Sequence, residues 1–575
     1  MEKVNINING RNVEARVDWT ILEAARYAGI NIPTLCYYPF VSRTGACRIC
    51  VVELEGSERL VASCVHPVKE GLKIQTHSPR VLKARKTLIQ LLVANHNLEC
   101  LVCRRNGNCE LQNLCEEYGI YEDTYKGKKR HAPMDASSDA YVKDHEKCIL
   151  CGRCVKVCEE LQDVHAIEFE KRGFYTQIMP AFENKLSDSV CIDCGQCVIA
   201  CPVASLVEKD SIEEVFNALS DPNKCVIAQT APSIRVTIGE AMGMKPGAIS
   251  TGKMVRGLRE LGFKYVFDTA FGADLTVMEE ASELVKRIKT DGKLPMTTSC
   301  SPGWTKFVET FYPEFIPNLS SCKSPHQMLG AMVKSYFAKK NNIKPEDIFF
   351  VSVMPCTAKK FEINRAGNKV DGLKDVDVVI TTRELAKIFK TGGVNFMQLE
   401  DSDFDNPLGA ASSAGEIFGA SGGVLEASLR TAYHLMTGKE LAKIDFKSVR
   451  GLSRLKEASV DIDGRVLKVA AVSSLGEARK LIQRIKSGES EYDFVEIMAC
   501  PGGCIAGGGQ PYTTDFEVLK ARLESLYAID KGKEVRMAHK NPYIIKLYDD
   551  FLGEPLGELS HKYLHTKFKA RKNVY

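Results

Sequence analysis

One cysteine spacing, C-x2-C-x2-C-x3-C, occurs twice and constrains this chain more than any other feature. The first copy is Cys148, Cys151, Cys154 and Cys158, and the second is Cys191, Cys194, Cys197 and Cys201, followed by Pro202. Eight cysteines in duplicated spacing leave no competing structural reading, and the spacing suits thiolate ligation of iron–sulfur clusters. Of the 22 cysteines, 16 lie between Cys36 and Cys201 in short clusters, and six are scattered over the rest of the 575 residues. That total is far below a disulfide scaffold yet high for a reducing compartment, and the clustering points to metal rather than disulfides.

A chain of 575 residues is expected to form about four domains. Its 44% apolar and 26% charged residues are ordinary for a soluble protein and exclude disordered, collagenous and membrane classes. A net charge of +4 is too balanced for a nucleic-acid or membrane-surface binder. No run of 18 apolar residues occurs, and MEKVNINING lacks the charged and apolar regions of a secretory leader. The expectation is a soluble, cytoplasmic protein.

At the amino terminus, EKVNIN and NVEARV alternate around Asn9-Gly10, which predicts a hairpin. Thr20 and Glu23 form a capping box before ILEAARYA, with Gly29 as the stop. Cys36, Cys47, Cys50 and Cys64 follow, spaced C-x10-C-x2-C-x13-C, and the loop RTGACRIC can turn backbone amides toward the sulfurs. This stretch resembles the plant-type [2Fe–2S] ferredoxin fold in its wider-spaced, complex I-like variant; a tetrahedral zinc site is the alternative. A helical pattern, VLKARKTLIQLLVANH, then leads to His96, Cys100, Cys103 and Cys109. Spacing alone leaves that site open between zinc and a cluster. Its position between iron–sulfur motifs makes it resemble the [4Fe–4S] module of complex I and of modular hydrogenases that is ligated by one histidine and three cysteines. Cys115 reads as a buried thiol outside the ligand set.

The duplicated run resembles bacterial two-cluster ferredoxins, in which the fourth cysteine crosses to the other cluster. The resemblance pairs Cys148, Cys151 and Cys154 with Cys201, and Cys191, Cys194 and Cys197 with Cys158. Such centres move single electrons, so substrate chemistry must lie further along the chain. From about residue 210 the texture is α/β: CVIAQTA, YVFDTA, IFFVSVMP and VDVVIT alternate with helical patterns, among them Thr382 capping RELAKIFK. Neither G-x-G-x-x-G after a strand nor G-x4-G-K-[ST] occurs, so bound nicotinamide or a P-loop is not indicated.

Four of the last six cysteines sit in three loops: TSCSPGW at 298–304, MPCTAKKFE at 354–362 and EIMACPGGCIAGGGQP at 496–511. Any one such cysteine alone is best read as a small buried hydrophobe. Together the loops resemble the signature loops of the [FeFe]-hydrogenase active-site domain, and with the preceding modules the resemblance covers almost the whole chain in the clostridial, multi-cluster arrangement. It implies a multidomain α/β and α+β protein. A β-grasp [2Fe–2S] ferredoxin-like domain would span 1–80, the histidine-and-three-cysteine [4Fe–4S] module 81–125, a 2[4Fe–4S] ferredoxin-like domain 126–209, and a two-lobed α/β H-cluster catalytic domain with a C-terminal helix and tail 210–575. The H-cluster of the family is a [4Fe–4S] cubane joined through one cysteine sulfur to a diiron site with CO, cyanide and an azadithiolate.

The resemblance assigns Cys356, Cys500 and Cys504 as cubane ligands, with Cys504 as the bridge. Lys359 would set its ammonium against a cyanide, and Met354, Met498 and Pro232 would line the cavity. Cys300 would be the thiol beside the azadithiolate nitrogen, with Glu280, Ser320 and Glu283 continuing the proton path; on a helix Glu280 and Glu283 share a face. Cys225 and Cys322 match no ligand position and read as structural. Relatives carry T-S-C-C-P where this chain has Ser301, the expected fourth cubane ligand. Either Ser301 ligates through oxygen, or Cys300 is recruited, or the register differs; Cys300 is kept as the relay.

The expected reaction is reversible 2H⁺ + 2e⁻ ⇌ H₂, with ferredoxin or flavodoxin as electron partner and maturation proteins to load the H-cluster. A second reading makes the chain the catalytic subunit of an NAD(P)-linked, electron-bifurcating complex with a flavin- and NAD(P)-binding subunit. The remaining alternatives, a hydrogen sensor or an iron–sulfur assembly scaffold, predict loss of the thiol at 300 or of Lys359 and the GC-x-x-GGG loop, and all of these are present.

Overall fold

The computed structural model describes residues 2–441 and 444–571. The two alternating segments form strands Lys3–Ile8 and Arg11–Arg16, paired antiparallel with Ile8 opposite Arg11. Asn9 and Gly10 alone make the turn, at φ 55° and 84°, as a type I′ hairpin requires. Alternation places Ile6, Ile8, Val13 and Ala15 in the core under the helix Ile21–Tyr27. Thr20 Oγ1 accepts from Glu23 N while the Glu23 carboxylate accepts from Thr20 N, a cap worth about 1 kcal/mol. Strands Val51–Leu54, Val61–Ala62 and Lys73–Gln75 complete a five-stranded sheet.

The helix expected over VLKARKTLIQLLVANH begins two residues earlier and ends sooner, at Pro79–Val93. Ser78 Oγ accepts from Val81 N and Pro79 stands in the first turn, where its missing N–H costs nothing. His96 therefore falls beyond the helix, free to turn toward the cysteine loop. In the ferredoxin-like region the sequence repeat returns as a structural one. Short helices Arg153–Lys156 and Gln196–Ala200 each open on a glycine at positive φ, Gly152 and Gly195. Strand Tyr141–Lys143 pairs antiparallel with Leu206–Glu208.

The four apolar runs beyond residue 210 are the strands Cys225–Thr230, Tyr265–Asp268, Ile348–Met354 and Val378–Thr381, parallel in one sheet. They are almost wholly buried, as a sheet covered on both faces requires. A second sheet sets Met296–Thr297, Phe494–Met498 and Arg465–Ser473 parallel, with Leu455–Ile462 antiparallel at its edge. The catalytic domain thus has two sheet-centred lobes. The carboxyl ends of the parallel strands run into the three cysteine loops and the segment at Pro232, where an α/β fold places its site.

Two local expectations need correction. Thr381, not Thr382, caps the helix Thr382–Thr391, because Thr381 Oγ1 accepts from Glu384 N and Glu384 closes a capping box. The C-terminal stretch is more than a helix and tail. Phe516–Gly532 is followed by Pro542–Leu547, a π-helical turn Tyr548–Leu552 and Glu558–Leu564. Leu547, Tyr548, Leu552, Tyr563 and Leu564 are buried in the core of the first lobe, and Thr566 N donates to Ser321 O and Arg571 N to Glu309 O. Burial of that apolar stripe, not the basic composition, decides where the segment lies.

Candidate active site

Among the described residues all 22 cysteines are free thiols, as metal ligation rather than disulfide formation requires. Cys36 contacts Cys47 and Cys64, and Cys64 contacts Cys50, while the amides of Ile49 and Leu35 point at Cys47. Four sulfurs converge there under backbone donors. In the next module Cys103 neighbours Cys109. His96 is buried with Nδ1 unpartnered, and burial pushes its imidazole down to about 4. A neutral imidazole with an orphaned nitrogen suits a metal ligand. Cys115 is half-buried, not buried, beside Cys109 and Cys100 on the helix Glu110–Glu117.

The eight cysteines of the duplicated run lie in one neighbourhood, with Cys197 near Cys201 as well as Cys191. Cys151 and Cys154 face Cys148 and Cys201, whereas Cys158 and Cys197 face Cys191. Tyr141 Oη lies 3.0 Å from Cys191 Sγ, and the Asp193 amide donates to the same sulfur at 3.4 Å. Both N-terminal modules pack on this domain: Glu110 pairs with Arg153 at 2.7 Å, Arg105 donates to Cys201 O, and Ser42 N donates to Glu160.

Between the two lobes lies a cavity of about 100 Å³ lined by all three cysteine loops. Cys356, Cys500 and Cys504 face one another in its wall with Lys359 beside them. Cys300, Ser301, Met354, Met498 and Pro232 line the same space. Lys359 Nζ donates to Cys300 O at 3.1 Å and to Glu362 Oε2 at 2.8 Å. Burial opposes ionisation of Glu362, yet Lys359 and His326 hold its carboxyl down to about 2. Ser301 stands at the head of the helix Pro302–Phe311, and its Oγ accepts from Ala499 N at 3.4 Å. Glycine is required in the third loop by close approach. A Cβ on Gly503, at φ +99°, would meet Ser421 N at 2.5 Å, and one on Gly508 would meet Cys194 O at 2.5 Å.

That second approach ties the cavity to the ferredoxin-like domain. Cys194 itself lines the cavity, the Gln196 side chain reaches Cys500, and Thr357 Oγ1 donates to Asp193 O at 2.8 Å. The donor set fits the expected group: three thiols grouped in one wall, soft thioethers lining an apolar space, one ammonium, and a loop whose glycines leave room for nothing but backbone.

On the opposite side, Glu280 and Glu283 lie on the helix Thr269–Lys289. Glu280 is 0% exposed, and among the described residues neither of its oxygens has a hydrogen-bond partner. Burial, then the charge of Glu283, pushes its carboxyl up to about 8. The Cys300 thiol is pushed up by burial and by Glu280, so thiol and carboxyl are neighbours. Ser320 Oγ faces Glu280 and donates to Glu283 Oε2 at 3.3 Å. Sequence reasoning missed Arg287, whose guanidinium donates to Glu283 Oε1 at 2.6 Å and to the carbonyls of Leu319, Pro317 and Lys293. It stands four residues after Glu283, the spacing of a helical ion pair, and that was the available signal. His326 and Glu362 were also missed, and no local pattern marks them. Cys225 is buried in its strand, and Cys322 is a buried thiol facing Glu283 and Glu280.

The comparisons with known proteins agree with this geometry. The profile of the iron only hydrogenase large subunit, C-terminal domain, matches residues 224–508, and that of the iron hydrogenase small subunit matches 516–571. A 2Fe-2S iron-sulfur cluster binding domain matches 1–79, the NADH-ubiquinone oxidoreductase-G iron-sulfur binding region 85–124, and a 4Fe-4S dicluster domain 147–205. The chain is 47% identical to the NADP-reducing hydrogenase subunit HndD of Solidesulfovibrio fructosivorans over 100% of both chains. It is 42% identical to iron hydrogenase 1 of Clostridium pasteurianum over 98% of this chain and 99% of that one. An apo [FeFe]-hydrogenase from Chlamydomonas reinhardtii superposes with a TM-score of 0.58 at 45% identity, covering 62% of this chain and 98% of that one. With three cysteine loops closed on one cavity and cluster domains docked beside it, the chain belongs to the iron-only hydrogenases and is an oxidoreductase with one [2Fe–2S] cluster, three accessory [4Fe–4S] clusters and an H-cluster.

Proposed function

We propose that in this hydrogenase Cys356, Cys500 and Cys504 hold the H-cluster, and that Cys300, Glu280, Ser320 and Glu283 carry protons between it and the surface. The buried, unpartnered Glu280 carboxyl, next to the Cys300 thiol and one helical step from Glu283, carries this reading. When bound, the H-cluster supplies an open iron position for forming or splitting H₂ and an amine that holds the proton. The chain does the rest. Met354, Met498 and Pro232 exclude water and offer no strong competing ligand. Lys359, fixed by Glu362 and the Cys300 carbonyl, directs its positive charge at the anionic end of the group. Burial keeps the Cys300 thiol protonated, and Glu280, with a carboxyl near 8, gains and loses a proton close to neutral pH, where acid–base transfer works best.

Electrons enter through the accessory clusters. We place the cubane of Cys158, Cys191, Cys194 and Cys197 last before the H-cluster, because Cys194 lines the cavity. The His96, Cys100, Cys103 and Cys109 module and the Cys36, Cys47, Cys50 and Cys64 domain both feed the ferredoxin-like region on which they pack. Ferredoxin is the proposed partner in the cytoplasm; among the described residues no helix is long and apolar enough to cross a membrane. The identity to an NADP-reducing hydrogenase subunit favours a second reading, a catalytic subunit that passes electrons to a separate nucleotide-binding chain. Purified chain under H₂ should then reduce ferredoxin but not NADP⁺ alone, and NADP⁺ reduction by the single chain would contradict both readings.

The first experiment is infrared spectroscopy of protein matured with hydrogenase maturases beside a known hydrogenase. Bands of metal-bound CO and cyanide that shift under H₂ are expected and would show that Ser301 permits assembly. Absent bands, with filled accessory clusters and a loaded control, would overturn the assignment of the cavity.

A further inference from the structure

The carboxylate of Glu283 faces more than Arg287. Ser321 N and Ser321 Oγ both lie 3.0 Å from Glu283 Oε2, and the same hydroxyl lies 2.8 Å from His565 Nδ1. His565 Nε2 is 3.0 Å from Glu279 Oε2. The Glu279 carboxylate also accepts from Tyr548 Oη, Ser560 Oγ and Leu556 N. His565, Tyr548 and Ser560 all belong to the C-terminal segment, so three of its side chains end on the proton-path helix.

Counting protons gives this chain of contacts a meaning. A serine hydroxyl has one hydrogen to donate. The Glu279 carboxylate draws the proton of a neutral His565 to Nε2 and leaves Nδ1 bare, so with a bare carboxylate on its other side the hydroxyl satisfies only one of its two close contacts. Both hold together when one extra proton sits at either end, on the Glu283 carboxyl or on His565 Nδ1. The surroundings tolerate either position: Glu279 is the counter-charge for an imidazolium, and its other donors keep it satisfied in both cases. Arg287, on the opposite oxygen of Glu283, remains in place throughout.

We propose that His565 is a proton-relay residue of hydrogen turnover, exchanging the proton of Glu283 through the Ser321 hydroxyl and giving the path a second branch built by the C-terminal segment. In the outward step Glu283 O–H donates to Ser321 Oγ while the Ser321 proton passes to His565 Nδ1. One proton is transferred, no electron moves, and rotation of the hydroxyl resets the chain. His561, exposed and with its ring centroid 4.4 Å from that of His565, leads from the relay to solvent.

The inference rests on the Glu280–Glu283 path proposed above. The test uses full-length, H-cluster-loaded protein, with H₂ evolution driven by chemically reduced methyl viologen in H₂O and in D₂O. Infrared bands of the H-cluster confirm equal loading. Ser321→Ala and His565→Ala should each lower turnover about tenfold, less than the roughly hundredfold of an acid–base group acting alone, because the Arg287 face stays open. Both should raise the solvent isotope effect, and added imidazole should restore His565→Ala but not Ser321→Ala. Wild-type rates in both loaded variants would overturn the relay, as would a loss with an unchanged isotope effect and no rescue, which marks a packing role. If Glu280→Gln instead kept full turnover, the underlying path itself would fall, a result distinguishable from failure of the branch.

Discussion

Glu280 and Glu283 are the same residue type, one turn apart on one helix, in opposite surroundings. Glu280 is fully buried without a hydrogen-bond partner among the described residues, and its carboxyl is pushed up to about 8. Glu283 is held by Arg287, Ser320 and Ser321. The contrast separates two jobs. An unpartnered buried carboxyl costs stability, and its value lies in changing charge near neutral pH. A carboxylate gripped on both oxygens is held in place, and in the proposed path it hands the proton on between Glu280 and the surroundings.

The contrast can be broken from the inside outward. The largest effect is expected at the cavity. Cys300→Ala should abolish turnover while leaving the CO and cyanide bands intact, and appreciable remaining activity would remove Cys300 from the path. Glu280→Gln should lower H₂ evolution by at least about a hundredfold without lowering Tm, since Glu280 has no ion pair to lose and the amide can still accept from Ser320 and the Ser299 amide; a calorimetric scan beside the activity assay checks both. Glu283→Gln should add a stability loss to its loss of turnover. Turnover falls by more than the tenfold of either outer branch alone, toward about a hundredfold, and stability drops by about 1–3 kcal/mol because the Arg287 guanidinium loses its carboxylate, measured by denaturant unfolding.

The smallest effect is in pH dependence. A carboxyl whose folded-state pKa lies above its unfolded value holds its proton more tightly when folded. The stability it contributes is full below the ordinary carboxylate range, about 4.3, and is lost as pH rises to about 8. Wild type should therefore lose Tm relative to Glu280→Gln between about pH 5 and 8, and parallel curves would contradict the burial argument. The same sign gives wild-type H₂ evolution a decline as pH passes about 8.

Much of this was legible because ligand chemistry is local. The runs at Cys148 and Cys191 carry their cysteines within eleven residues each, and Cys151 lies near Cys201 and Cys158 near Cys191 in space. The parallel sheet was legible as four apolar runs, and the cavity as three Cys and Gly loops. The outer proton network was not. Glu283, Ser321 and His565 are separated by up to hundreds of residues, and a serine or a histidine near a chain end has no periodicity that announces a partner. His326, Glu362 and Lys359 meet for the same reason, through strand order and not through spacing. The cap at Thr381 was misplaced by one residue because two adjacent threonines stand at the start of the helix and only backbone geometry chooses between them. The C-terminal segment was underestimated because its basic surface residues hide the apolar stripe of Leu547, Leu552 and Leu564.

The central claim, that Glu280 changes protonation at work, is tested most directly by infrared difference spectroscopy of loaded protein in the carbonyl-stretch region of protonated carboxylic acids. The account predicts a band that disappears as pH rises through about 8 and is missing in Glu280→Gln. A spectrum without that band, or one unchanged by the substitution, would contradict it.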